Sequence, residues 1–147
     1  MPKNKLSLKP LIVKLKLTHK TLPLILGNNA VKFFQSNFDK EGFQDRTVSK
    51  WQKRKYKPKG GAKKQLQVTG RLRRSIKRLS ANWGSIKIGT KGVAYARIHN
   101  EGLKGKAFGK YAFQMPKRQF IGESYKLEKG IKARIEKELR NLEKRIK

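Results

Sequence analysis

Apolar residues are grouped along this chain, and their spacing changes from one stretch to the next. Val13-Lys14-Leu15-Lys16-Leu17 alternates apolar and basic, the period of a half-exposed strand. With Pro10 and its flanking lysines it marks residues 1–20 as a basic N-terminal arm. Such an arm orders against a neighbour, or forms an edge strand whose lysines discourage aggregation. From Thr21 the period becomes helical. Thr21 is an N-cap candidate with Pro23 in the first turn, and Leu22, Ile25, Leu26, Ala30, Phe33, Phe34 and Phe38 form one broad apolar face as far as about Asp39. Gly42 ends this helix.

Beyond a long polar stretch, Thr69 is placed to cap a short helix over about 70–79, with Leu72, Ile76 and Leu79 inward. Ser80–Trp83 and Ser85–Gly89 predict a hairpin through Gly84. A second short helix over about 94–100 places Tyr95 and Ile98 on its buried side, and Gly102 follows where a positive φ is needed. Residues 103–114 read as an extended loop or hairpin. The last helix spans about 123–145, with Leu127, Ile131, Ile135, Leu139, Leu142 and Ile146 in one stripe. The reading preferred for that stripe is closure of the chain's own core opposite the first helix; the other is a partner-binding face. These elements make an α+β domain over residues 21–147, a small antiparallel sheet covered by the first and last helices.

Charge changes this picture. The chain has 147 residues, and 39 Lys and Arg against nine Asp and Glu give a net charge of +30. That excess cannot be neutralised internally, so an acidic protein or a nucleic acid screens it in use. The fourteen basic residues between Arg46 and Arg78 have no acid among them. At their centre is a basic loop over about 44–67, with Trp51 and Tyr56 interleaved among lysines. This is the composition of a surface that tracks phosphates and stacks on bases, or of a solvated face. No zinc finger, RNA-recognition motif or helix-turn-helix accompanies it.

The chemistry that the sequence excludes is as informative. There is no cysteine, which removes disulfides and thiolate chemistry. Two histidines, His19 and His99, and nine scattered acids offer no metal constellation and no paired carboxylates. His99 near Glu101 is a His–carboxylate pair of the kind that can transfer protons, but the structural reading is preferred and no catalytic residue is assigned. There is no phosphate-binding Gly-rich loop ending in Gly-Lys-Ser/Thr, and no cofactor is called for. The longest apolar runs, Leu11–Val13 and Leu24–Leu26, are far short of a membrane span, and no secretion signal is read at the N-terminus.

Three motifs occur in order: Thr69-Gly70-Arg71-Leu72-Arg73-Arg74-Ser75-Ile76, then Tyr95-Ala96-Arg97-Ile98-His99-Asn100-Glu101-Gly102, then Pro116-Lys117-Arg118-Gln119-Phe120-Ile121-Gly122. With the Ile86–Thr90 strand between the first two, this succession resembles the phage virion morphogenesis family, small neck and tail-completion proteins of tailed phages. The resemblance covers about Leu22 to the C-terminus. It implies a structural protein rather than an enzyme, with Trp51 packing the loop onto the body. It also implies a framework of Thr69, Gly70, Leu72, Ser75, Ile76, Tyr95, His99, Gly102, Pro116 and Phe120. The implied role is tail completion or head–tail joining, in a ring of six at the neck of a virion assembled in the host cytoplasm. The implied neighbours are tail terminator or tail tube proteins, head connector or portal-side proteins, and genomic DNA in the channel. Charge and placement nominate Lys14, Lys16, Arg54, Lys55, Lys57, Lys59 and Arg118 for protein or DNA contacts. Arg118 bridges carboxylates within or between subunits. The other reading is a sequence-independent nucleic-acid-binding protein of ribosomal or nucleoid character.

Overall fold

A computed structural model describes residues 9–56, 59–60 and 63–145, without the side chains of residues 9–11 and 14. The order is α1 (Lys9–Lys40), β1 (Gly42–Gln44), β2 (Val48–Lys50), α2 (Arg71–Ser75), β3 (Ile76–Asn82), β4 (Ser85–Thr90), α3 (Ala96–Glu101), β5 (Lys104–Ala107), β6 (Tyr111–Gln114) and α4 (Tyr125–Lys144). The class is α+β, with the first and last helices bracketing antiparallel hairpins. Those hairpins remain three separate two-stranded ladders, β1–β2, β3–β4 and β5–β6, and do not merge into one sheet.

α1 overturns the expected strand at its start. Val13–Leu17 is helical, and the helix passes through Thr21 and Pro23 without a break. Lys and Leu are strong helix formers, no Gly or turn residue separates them from the helix that follows, and extending a helix is far easier than nucleating one. Thr21 is therefore no cap: its hydroxyl donates back to the Leu17 carbonyl at 2.9 Å. The β3–β4 hairpin lies along this region. Trp83 at its tip stacks on His19 with centroids 4.9 Å apart, and Arg78 Nη1 donates to Leu24 O at 3.1 Å and Asn28 Oδ1 at 2.7 Å.

The first short helix is also shorter than its sequence suggests. Gly70, at φ 68°, is the N-cap in place of Thr69, whose Oγ1 instead accepts from Arg71 N at 3.3 Å. The helix ends at Ser75, and residues 76–79 belong to β3. Register shifts between Arg78 and Ser80, a bulge that leaves Leu79 facing solvent rather than inward. In α3 the buried residue is Ala96, with Tyr95 exposed and Ile98 half-buried. Gly102 follows at φ 69°, as its position after the helix predicts.

The core gathers Phe34, Phe38, Phe43, Trp51, Leu72, Ile76, Ala96 and Phe120. Phe38 is fully buried and meets Trp51 edge-on at 5.4 Å and Phe120 at 5.3 Å. α4 packs on α1, and its Leu127 and Ile131 also line a hollow with Ile86 and Ile88 of β4. Leu127 and Ile131 approach Leu26, Ala30 and Phe33, while Leu139 further along is 51% exposed. None of α4's residues is fully buried, so its stripe is only partly covered by this chain. Ile146 of that stripe lies outside the described residues.

Between β6 and α4 the chain crosses the core as an extended strap, residues 116–122. Its backbone is held by side chains from three distant places. Asn37 Nδ2 donates to Phe120 O at 3.0 Å; Asn100 Oδ1 accepts from Phe120 N at 2.9 Å and Ile121 N at 3.0 Å; Trp51 Nε1 donates to Gln119 O at 2.7 Å. Asn37 is fully buried, and its Oδ1 also accepts from Gln44 N and Gln44 Nε2. At the strap's end Ser124 caps α4, accepting from Leu127 N at 3.2 Å and donating to Gln44 O at 2.7 Å.

The strap also explains the need for glycine at 102. A Cβ there would stand 2.9 Å from both Cα and N of Lys117, on top of a left-handed φ. Gly102→Ala is expected to lower stability by about 2 kcal/mol or more. Asn37→Ala strips partners from Phe120 O and Gln44 N, and is expected to cost about 3 kcal/mol. The exposed Asn29→Ala on the same helix should stay within about 0.5 kcal/mol. Urea denaturation of the three variants measures all three.

Candidate functional site

The strap and the basic loop together form the walls of an open cleft of about 300 Å³, lined by Arg54, Gln65, Leu66, Val68, Thr69, Leu72, Tyr95, His99 and Arg118. Each of the three sequence motifs contributes to it: Thr69 and Leu72 from the first, Tyr95 and His99 from the second, Arg118 from the third. The strap fixes Arg118 because its backbone N donates to His99 O at 2.8 Å. Its side chain is 7% exposed, and its Nε donates to Gln52 O at 3.1 Å and Gln65 Oε1 at 2.9 Å. Among the described residues neither Nη of Arg118 has a hydrogen-bond acceptor. Arg54 is half-buried and donates from Nη2 to Lys63 O at 2.8 Å.

Among the described residues no acid lines the cleft. Burial, and then repulsion from Arg54, lower the Arg118 pKa from its ordinary value. His99 sits edge-on to Tyr95, with ring centroids 5.9 Å apart. Its Nδ1 is buried without a hydrogen-bond partner among the described residues. Burial, and then the Arg118 charge, lower the His99 pKa, favouring the neutral ring. The arrangement is therefore cationic, acid-free and partly apolar. It can hold an anion. Among the described residues no group of three or more His, Asp or Glu is placed to hold a metal, and no helix is long and apolar enough to cross a membrane.

Seven of the chain's nine acids are committed elsewhere. Asp39 pairs with Arg73 at 2.8 Å, Glu101 with Arg97, Glu128 with Lys132, Glu138 with Arg134 and Glu136 with Arg140. Glu41 accepts from Gln65 N, and Asp45 from Tyr125 N. Arg46 lies over the Tyr125 ring at 4.7 Å, fastening the β1–β2 turn to the start of α4.

Of the nominated contact residues, Arg54 and Arg118 meet in the cleft. Lys55 lies in the open depression on the other side of Arg118, with Pro116 and Tyr56. Lys59 is exposed in the loop, and Lys16 is exposed on α1, far along the chain from the cleft. Lys57 and the side chain of Lys14 lie outside the described residues. Among the framework residues, Trp51, Leu72, Ser75, Ile76 and Phe120 are buried, Pro116 is half-buried, and Gly70 and Gly102 hold left-handed turns. Sequence reasoning missed Gln65, Asn37 and Asn100 as organisers of this region. Asn100 stood inside the second motif, next to His99, but nothing in a single sequence distinguishes a buried clamp from a helix-end Asn.

The His99 shift carries a pH dependence. Its folded pKa lies below its ordinary value of 6.5, so as pH falls below that value the unfolded chain takes up a proton that the folded chain resists. Stability is present above about pH 6.5 and is lost as pH falls through the folded pKa. His99→Gln is expected to flatten the fall in melting temperature between about pH 7 and about pH 5, measured by thermal melts at fixed ionic strength.

Comparison with known proteins places these residues in a family. The sequence model of the phage virion morphogenesis family matches residues 15–140. No curated protein and no solved structure matches the chain significantly. The matched span takes in most of α1, the three hairpins, the strap and most of α4, and with them every described residue of the cleft. The chain belongs to the phage virion morphogenesis family, and its role is a structural one in building the virion.

Proposed function

We propose that this protein completes the tail or joins it to the head at the neck of a tailed phage, as subunits closing a ring of six. The observation that carries this reading is the cationic surface that the family body presents while most of its own acids are tied up in ion pairs and backbone contacts. Such a surface docks on acidic neighbours, in the tail terminator, tail tube or connector, and long-range attraction speeds the encounter. Two further features suit a heterologous contact around a ring. Ile12, Val13, Leu15 and Leu17 on the first turns of α1 are exposed, and so is Leu139 on the far half of α4. The work is geometric and stoichiometric, with no reaction to catalyse.

One observation favours direct contact with nucleic acid as the second reading. Phe108, 93% exposed at the tip of the β5–β6 hairpin, and the exposed Tyr111 stand among Lys104, Lys106 and Lys110. Exposed aromatics among lysines suit base stacking beside phosphate contacts.

Inactivating the gene in the phage or prophage that encodes the protein separates the two readings. The neck reading expects DNA-filled heads and finished tails that remain unjoined in electron micrographs, restored by the protein supplied in trans. Normally joined particles would overturn it. Empty heads or heads that leak their genome, with steeply salt-dependent DNA binding by the purified protein, would favour the nucleic-acid reading.

A further inference from the structure

The cleft between the strap and the basic loop has the makings of a receptor for one particular group. Its floor is cationic: the Arg118 guanidinium is held in place through Nε by Gln52 O and Gln65 Oε1, leaving its paired Nη groups without an acceptor among the described residues. Among the described residues no opposing charge lines the cleft where Arg54 stands, and His99 Nδ1 is a buried polar atom with no partner. Leu66, Val68 and Leu72 supply apolar walls. Two like charges brought together over an acid-free hollow are unfavourable unless an anion enters. We propose that this cleft binds the carboxylate of a glutamate or aspartate side chain presented by an acidic partner protein, seated between Arg118 and Arg54 with its aliphatic stem against the apolar wall.

Shape and chemistry favour a carboxylate over a nucleic-acid backbone. A planar guanidinium with two free N–H edges matches a carboxylate through two parallel hydrogen bonds. The hollow, at about 300 Å³, is at the small end of ligand pockets, enough for side chains rather than a continuous strand. Strands of nucleic acid track long open grooves with several stacking aromatics. Among the described residues Tyr95 is the one Phe, Tyr or Trp lining this cleft, and Tyr56 lies in the separate depression on the other side of Arg118. A second copy of this chain is a poor source, since each copy carries +30 and uses most of its nine acids internally. The partner is therefore a different, acidic protein. This rests on the neck reading only for where that partner is found; the cleft's chemistry stands apart from it.

The test uses the full-length purified protein and no virion, so its failure is distinct from failure of the neck reading. Three probes are titrated: the blocked peptide acetyl-Leu-Glu-Leu-amide, its Gln counterpart, and a short thymidine oligonucleotide. The readouts are the Arg118 Nε–H and His99 ring resonances in NMR spectra. The Glu peptide is expected to move both resonances saturably, and the Gln peptide to leave them in place. Arg118→Lys keeps the charge and loses the fork, but its contacts to Gln52 and Gln65 also support the fold. Arg54→Gln is therefore the deciding variant. It should weaken the Glu peptide about tenfold, whereas removing an equal charge with Lys87→Gln on exposed β4 should change affinity by less than about twofold. Equal response to the Glu and Gln peptides, no response to either, or equal loss in the two variants would overturn the proposal. So would displacement of the Glu peptide by a tighter-binding oligonucleotide, which would make the cleft a phosphate site.

Discussion

Everything in this fold depends on how one extended segment is satisfied. Residues 116–122 cross the core outside every β-ladder of the described residues, and a buried backbone without partners is untenable. Asn37, Asn100 and Trp51 supply those partners from α1, the end of α3 and the base of the basic loop. Because each clamp comes from a different part of the chain, the strap is the place where these parts learn their relative positions. Phe120 is pressed into the aromatic cluster on one side of it, while Arg118 is delivered to the cleft on the other. Core and candidate site are thus two faces of the same seven residues.

How much of this could be read from residues alone follows from the range of the forces involved. The last helix was legible because its period is carried by neighbours three and four apart, and the β3–β4 hairpin because Gly84 sits between two short segments in which polar and apolar residues alternate. Gly102 announced its own conformation. The first turns of α1 misled, since alternating Leu and Lys satisfy the strand period while their propensities and the uninterrupted connection to Leu22 favour helix. Leu79 misled for a different reason: a bulge is set by the partner strand and leaves no mark on its own sequence. The cleft was half legible. Arg54 and Arg118 were nominated by charge, and Thr69, Tyr95 and His99 by resemblance, but their meeting depends on Asn37 and Asn100, residues separated by long stretches of chain from what they hold.

The charge has a structural counterpart that composition could not supply. Acids are few, and they are spent on joints: Asp39 ties α2 to α1 through Arg73, Asp45 and Ser124 hold the start of α4, and Glu41 receives the chain returning from the basic loop. The remaining glutamates of α4 mainly pair with bases one turn away on the same helix, which supports the helix but leaves its surface cationic. The body is locally neutralised where it must cohere and left positive where it faces outward.

That division of acids sets an order of events. A copy of this chain has little negative surface to offer another copy, so free subunits repel one another at a distance and do not accumulate as premature aggregates. On the neck reading proposed above, that repulsion is lifted where an oppositely charged surface has already been built. The scarcity of free carboxylates would then act as a timing device, with a finished template, rather than the subunits' own concentration, deciding when they come together.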